Sequence, residues 1–145
     1  MSRPALFLAN VHLLFERDGQ LLLLLRQNTG YADGQYALVA GYVDEGSSTL
    51  HAACQEALEE AGVTLDPAHL DLCHVLHHRD GRGGNRYGFF FRPRTWPGEP
   101  TNTEPQFCAH LTWFPREALP ENVIPYVRRV LDLIGEGIKY SEWEA

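Results

Sequence analysis

An α/β/α sandwich on a mixed β-sheet is the fold this sequence predicts, and three observations predict it. Apolar runs of strand length recur through the chain. One helical stretch interrupts them near the middle, at residues 48–61, and another closes the chain. The 145 residues, 44% of them apolar and 16 of them aromatic, suit a single domain over residues 1–145 with a substantial core.

The elements follow in order. Residues 7–15 read as a strand, Asp18-Gly19 as a hairpin turn, and residues 20–26 as the return strand. The five leucines Leu21 to Leu25 are too few to span a bilayer and predict a strand buried on both faces. Residues 28–35, with Gly30, Asp33 and Gly34, form a loop. Residues 36–40 are short and apolar, and residues 41–46 read as a loop before the central helix, with Ser47 or Ser48 as its N-cap. Residues 70–78 and 86–92 are strands joined by the glycine-rich turn 80–85. Because no helix follows that turn, a phosphate-cradling loop is not expected there. Phe89, Phe90 and Phe91 offer either core packing or a ring on which a base can stack. Adjacent His77 and His78 point to opposite faces of a strand and so cannot easily share a metal. Residues 110–114 form a late strand. Val127, Val130, Leu131, Ile134 and Ile138 then mark one face of the last helix. The acidic tail 140–145 either packs on a partner subunit or hangs free.

Charge and cysteine content narrow the function. A net charge of −7 argues against a nucleic-acid polymer as partner, which would call for a basic face. Small phosphorylated substrates remain open, because a bound cation supplies positive charge locally. Eleven arginines accompany the single Lys139, and arginine favours forked contacts to phosphate or carboxylate. Cys54, Cys73 and Cys108 are odd in number and widely spaced, giving neither a disulfide framework nor a zinc motif. With no basic flank and long apolar run at the start, the expectation is a cytoplasmic protein with no membrane partner.

The informative cluster is Glu56, Glu59 and Glu60. Their spacing of i, i+3, i+4 puts all three on one side of the central helix. Leu50, Ala53, Cys54, Ala57 and Ala61 define a different, core-facing side. Gly62 stops the helix, so the acids crowd its last turns, where the helix dipole and their mutual repulsion both disfavour them. A hard divalent cation with oxygen ligands offsets both penalties. The alternative is an ordinary solvated helix face.

At this cluster the chain resembles a known family. Gly41 to Ser47, seven further residues, and then Gln55-Glu-Ala-Leu-Glu-Glu-Ala-Gly-Val63 are similar to the Nudix box, G-x5-E-x7-R-E-U-x-E-E-x-G-U, where U is bulky and aliphatic. Seven of the nine specified positions are filled if Ala57 is accepted as a small apolar residue. Arg26, fifteen residues before Gly41, matches the basic residue that ends the second strand in MutT-type members. The stretch from Trp96 to Glu104 looks like their W-x-G-E-P-x-x-x-E loop, whose last Glu helps catalysis. Leu119-Pro-Glu-Asn122 resembles the segment whose Asn reads the base. Elements that mark the NADH, ADP-ribose and dinucleoside polyphosphate branches are absent, which leaves the MutT-like branch by elimination.

The resemblance implies a Nudix-type sandwich and hydrolysis of a nucleoside diphosphate linked to another moiety, with Mg2+ or Mn2+ as cofactor. It implies Glu56, Glu59, Glu60 and a main-chain carbonyl near Ala40 or Gly41 as metal ligands. Glu104, or failing it Glu56, would accept the proton of the attacking water, and Arg26 and Asn122 would bind substrate. The bland alternatives are a loop acid for Glu104, a strand-end charge for Arg26 and a turn or N-cap residue for Asn122. The expected partner is a small-molecule nucleotide, with a base-oxidised triphosphate among the candidates, acted on by a monomer or homodimer. Two positions depart from the box: Ser47 replaces its first Glu and Gln55 its Arg, and Val39-Ala40 stands where Pro-Gly is usual. Gln55 can still donate to a carboxylate, though without charge assistance, at a cost of about 1–2 kcal/mol or roughly tenfold in rate. The rival expectation is a catalytically impaired Nudix domain that binds a nucleotide as a sensor or interaction module.

Overall fold

A computed structural model describes residues 3–80 and 84–144. The first hairpin runs from β1 (Leu8–Leu13) through the short β2 (Glu16–Arg17) to β3 (Gln20–Arg26). Asp18 and Gly19 both hold positive φ, at 53° and 74°, which is what a two-residue I′ turn requires. Leu21 to Leu24 are buried, as an uninterrupted leucine run demands. The chain then changes sheets at Leu38. β4 (Tyr36–Ala37) pairs with β3, whereas β5 (Val39–Tyr42) pairs antiparallel with β1. Gly41 and Tyr42 therefore belong to a strand, not to the loop expected of residues 41–46.

Helix α1 (Thr49–Ala61) follows, with the Ser48 hydroxyl accepting from the His51 N–H at 3.1 Å. It ends on Gly62 at φ 66°, whose N–H bonds the Leu58 carbonyl while Val63 N–H bonds that of Ala57. The buried face is Ala52, Ala53, Ala57 and Ala61. This corrects the expected face: Leu50 is 41% exposed and Cys54 only half-buried, so the interface lies one residue around the helix. An all-alanine face lets the helix backbone approach β1 and β5 closely, since no long side chain holds it away.

The second half builds outward from β1. β6 (Leu70–Arg79) pairs antiparallel with β7 (Arg86–Pro93), which pairs parallel with β1. β8 (Cys108–Pro115) runs antiparallel along β3. Residues 81–83 of the glycine-rich turn lie outside the described residues. α2 (Pro125–Gly135) then covers β6, and β9 (Tyr140–Glu144) pairs parallel with that strand. The sheets are ordered β5-β1-β7-β6-β9 and, around β3, β2 and β4 on one edge with β8 on the other. The result is the expected α/β/α sandwich.

Two tail expectations change. Ile138 lies beyond α2, because the chain turns at Gly137 with φ 76°. Residues 140–144 neither hang free nor await a partner but extend the sheet. Buried His74 anchors them, its Nδ1 paired with the Ile138 carbonyl and its Nε2 with Ser141 Oγ, both at 2.8 Å. His77 and His78 do face opposite ways: His78 is buried against Arg86 and Tyr126, while His77 stacks on Tyr87. Phe90 and Phe91 are core residues and Phe89 packs against the core. All three cysteines are free. Among the described residues no helix is long and apolar enough to cross a membrane.

Candidate active site

The close approach of α1 to β5 brings two carboxylates against strand backbone. Glu60 Oε1 accepts the Ala40 N–H at 2.9 Å. Glu56 lies over Gly41, where an added Cβ would stand 2.1–2.5 Å from its carboxyl atoms. Only glycine leaves room for this carboxylate, so Gly41 is needed for space rather than for a special backbone angle. Glu59 is exposed, and its Oε1 accepts the Gln55 amide at 2.8 Å. Gln55 thus makes the uncharged carboxylate contact its chemistry allows. Ser47 takes no part in it; its hydroxyl donates to the adjoining Ser48 carbonyl.

Glu104 arrives from a distant loop by a local device the sequence reading missed. Thr103 Oγ1 donates to the Glu59 carbonyl at 2.5 Å, and Thr101 N–H donates to the Ala61 carbonyl at 2.9 Å. These carbonyls at the end of α1 have no helical partner of their own, so the loop satisfies them and docks there. Asn102 braces the loop by donating to the Cys108 carbonyl and accepting the Glu104 N–H. The only sequence signal was the run Thr-Asn-Thr directly before Glu104. Arg26, at the end of β3, joins Glu60, Glu104, Thr29 and Phe107 around a crevice of about 40 Å³. Asn122 sits three residues before α2, and its amide donates to the Gly34 carbonyl at 3.0 Å. That bond ties the 28–35 loop to the segment leading into α2.

The electrostatics of the cluster follow from burial. Desolvation pushes the Glu60 carboxyl up to about 8, with Glu56 and Glu104 pushing the same way. The Ala40 N–H and Arg26 oppose this but do not prevail. Glu56 rises to about 7, again chiefly through burial, then through Glu59, Glu104 and Asp44. Among the described residues, no three His, Cys, Asp or Glu side chains stand ready-assembled around an ion. Glu59 is turned to Gln55 and Glu60 to Ala40, so assembly needs side-chain rotation. The donor set nevertheless fits a hard divalent cation: carboxyl oxygens, two of them on groups that burial pushes above the usual carboxylate range, beside a strand with no Cβ in the way.

A pH dependence follows with a definite sign. Between about pH 4.5 and 8 the folded protein retains protons at Glu56 and Glu60 that the unfolded chain releases. These two groups therefore make the metal-free protein less stable as pH rises across that window. A cation that displaces the protons should reverse the trend. The expected result is a melting temperature raised by Mg2+ or Mn2+ far more at pH 8.5 than at pH 5. Equal stabilisation at both values would separate cation binding from these carboxylates.

Fold and acid cluster define a class: sandwiches that seat a carboxylate-rich helix against a mixed sheet, the architecture of Nudix hydrolases. The NUDIX domain family model matches residues 7–134, and the chain belongs to that family. Its members are hydrolases that act on pyrophosphate bonds of small nucleotide substrates, generally with divalent metal ions. Among solved structures, a MutT NUDIX hydrolase from Burkholderia pseudomallei is 27% identical, over 88% of this chain and 98% of that one, with a TM-score of 0.79. A MutT protein from Methanosarcina mazei Go1 is 18% identical over 93% and 97%, with a TM-score of 0.77. A UDP-X diphosphatase is 18% identical over 96% of this chain and 68% of its own, with a TM-score of 0.63.

Proposed function

We propose that this protein is a MutT-type nucleoside triphosphate pyrophosphohydrolase that releases a nucleoside monophosphate and pyrophosphate. The observation that carries the proposal is the meeting of Arg26, Glu60 and Glu104, from three separate segments, around one crevice at the end of an acid-bearing helix. A bound divalent cation supplies charge to the diphosphate and acidity to an attacking water. Glu56, Glu59, Glu60 and the Gly41 carbonyl would hold it. Glu104 would take the water proton, with Glu56 as the second candidate. Arg26 would grip phosphate oxygens as they gain charge. Gln55 would steady Glu59 through the bond it already makes. Asn122 would face the nucleoside.

The neutral pair Ser47 and Gln55 favours one competing reading, a nucleotide-binding domain with impaired catalysis. A panel of canonical and 8-oxidised nucleoside triphosphates and UDP-linked compounds, incubated with Mg2+ or Mn2+, tests the two. Turnover of a triphosphate to its monophosphate supports the hydrolase; binding without turnover of any compound supports the rival. UDP-linked compounds are included because of the UDP-X diphosphatase neighbour, so preference for them would move the substrate class to that side. The double variant Ser47→Glu, Gln55→Arg should be as active as the wild type or up to about tenfold more, since it restores charge assistance to Glu59. A collapse in rate would show that the neutral pair has a role of its own.

A further inference from the structure

Arg26 lines a crevice with Glu60 and Glu104, yet among the described residues no ion pair joins it to either acid. A guanidinium beside these acids is drawn toward them whenever they are ionised. Two bonds from its own loop hold it back. Nε donates to the Tyr31 carbonyl at 2.8 Å, and Nη2 donates to Thr29 Oγ1 at 3.0 Å. The Tyr31 ring lies beneath, 5.4 Å from Cζ to centroid. A guanidinium has five N–H donors, so three remain with no protein acceptor among the described residues.

Thr29 is itself held. Its hydroxyl has one proton and two acceptors within reach, Asp33 Oδ1 at 2.5 Å and the Tyr31 carbonyl at 2.9 Å, and the shorter, charge-assisted contact to Asp33 is the stronger of the two. The oxygen lone pairs are thereby turned toward Arg26 Nη2 and the Tyr31 N–H. Asp33 also accepts the N–H groups of Thr29 and Gly30, which fix the carboxylate in place. Asn28 at φ 56° and Ala32 at φ 50° hold left-handed backbone, uncommon for residues other than glycine, on either side of the turn that the Asp33 contacts close. The loop is in turn stitched to the one carrying Glu104, through Gln27 Nε2 to the Pro105 carbonyl at 2.7 Å and Asn28 Nδ2 to that of Gln106 at 3.0 Å.

We propose that Asp33, acting through the Thr29 hydroxyl, is a positioning residue that keeps the Arg26 guanidinium off the acids and turned toward substrate phosphate. The inference rests on the phosphate-binding role given to Arg26 above. It assigns Asp33 and Thr29 no contact with substrate, so their effect must pass through Arg26 and vanish when Arg26 is gone.

A binding cycle tests this. The probe is dGTP with a methylene bridge between its α and β phosphorus atoms, titrated with Mn2+ present, so that the readout is affinity and not turnover. Arg26→Ala is expected to weaken binding by about tenfold or more, Thr29→Val by about tenfold and Asp33→Asn by about threefold. Thr29→Ser, which keeps the hydroxyl, should stay within about twofold of the wild type. Placed in the Arg26→Ala background, Thr29→Val and Asp33→Asn should each change affinity by less than about twofold. Losses of the same size in both backgrounds would overturn the inference, because the residues would then act on the loop at large. A large loss for Arg26→Ala beside none for Thr29→Val would also overturn it while leaving the role of Arg26 intact. No loss for Arg26→Ala would remove that role and the inference together. Hydrolysis of dGTP itself, scored separately, decides between enzyme and binder without touching this cycle.

Discussion

Glu60→Gln is expected to lower hydrolysis at least roughly a hundredfold while raising the melting temperature of the metal-free protein at pH 8. The two effects share one cause. Glu60 is pushed up to about 8 by burial, so at that pH its charge is held against the preference of the folded protein. Glutamine keeps an oxygen to accept the Ala40 N–H and removes the charge, which relieves the fold. The same charge is what a divalent cation needs, and an amide oxygen is a much weaker ligand for a hard ion. At pH 5 the folded carboxyl is protonated and the difference in melting temperature should shrink to a small fraction of its pH 8 value. Rates across a Mg2+ titration and thermal melts at pH 5 and 8 check both halves. Near-normal turnover at low Mg2+, or a variant less stable than the wild type at pH 8, would remove Glu60 from the cation site.

The second large effect is expected at Gly41, where activity should fall about a hundredfold with little change in stability. A Cβ at this position would lie 2.1–2.5 Å from the Glu56 carboxyl group, far inside contact distance. The atoms it meets are the end of a flexible side chain, so Glu56 can rotate away without moving the helix or the strand. Gly41 does not occupy the left-handed region, and alanine suits its backbone. Displacing a carboxylate in the role proposed for Glu56 by about 1 Å is enough for a hundredfold loss. The test is Gly41→Ala assayed alongside its melting temperature. Loss of folding would mean that the contact is structural; retained activity would mean that Glu56 need not sit where it does.

These two residues show how differently parts of the site could be read in the sequence. Glu60 was visible at once, because an acid trio at i, i+3, i+4 before a helix-stopping glycine is a local pattern. Gly41 was visible as a box position, but its reason, a carboxylate seated where a Cβ would be, depends on how closely α1 lies on β5. That distance is set by Ala52, Ala53, Ala57 and Ala61, and the expected face had Leu50 and Cys54 in place of Ala52. A helix reading gives periodicity; it does not say which edge of an apolar stripe meets the sheet. The 101–104 loop was marked by its resemblance to the W-x-G-E-P-x-x-x-E pattern, but not by how it docks. Its value lies in satisfying carbonyls at the end of a helix forty residues earlier, and no local pattern announces a partner so remote.

What the sequence by itself determined are features governed by neighbours a few residues apart. These are the hairpin turn at Asp18-Gly19, a serine cap at Ser47 or Ser48, the Gly62 stop, the both-sides-buried leucine strand and the one-sided acid trio. What only the tertiary structure decided are relations between segments. Arg26, Glu104 and Glu60 line one crevice, Asp33 bonds Thr29 and Thr29 bonds Arg26, and the acidic tail becomes β9. The tail shows the reason plainly. Its polar-apolar alternation is compatible with a free end, and it becomes a strand because β6 offers an open edge and His74 holds the incoming backbone. Short-range preferences are written into adjacent residues, whereas the position of a site is fixed by packing among elements that no stretch of sequence contains alone.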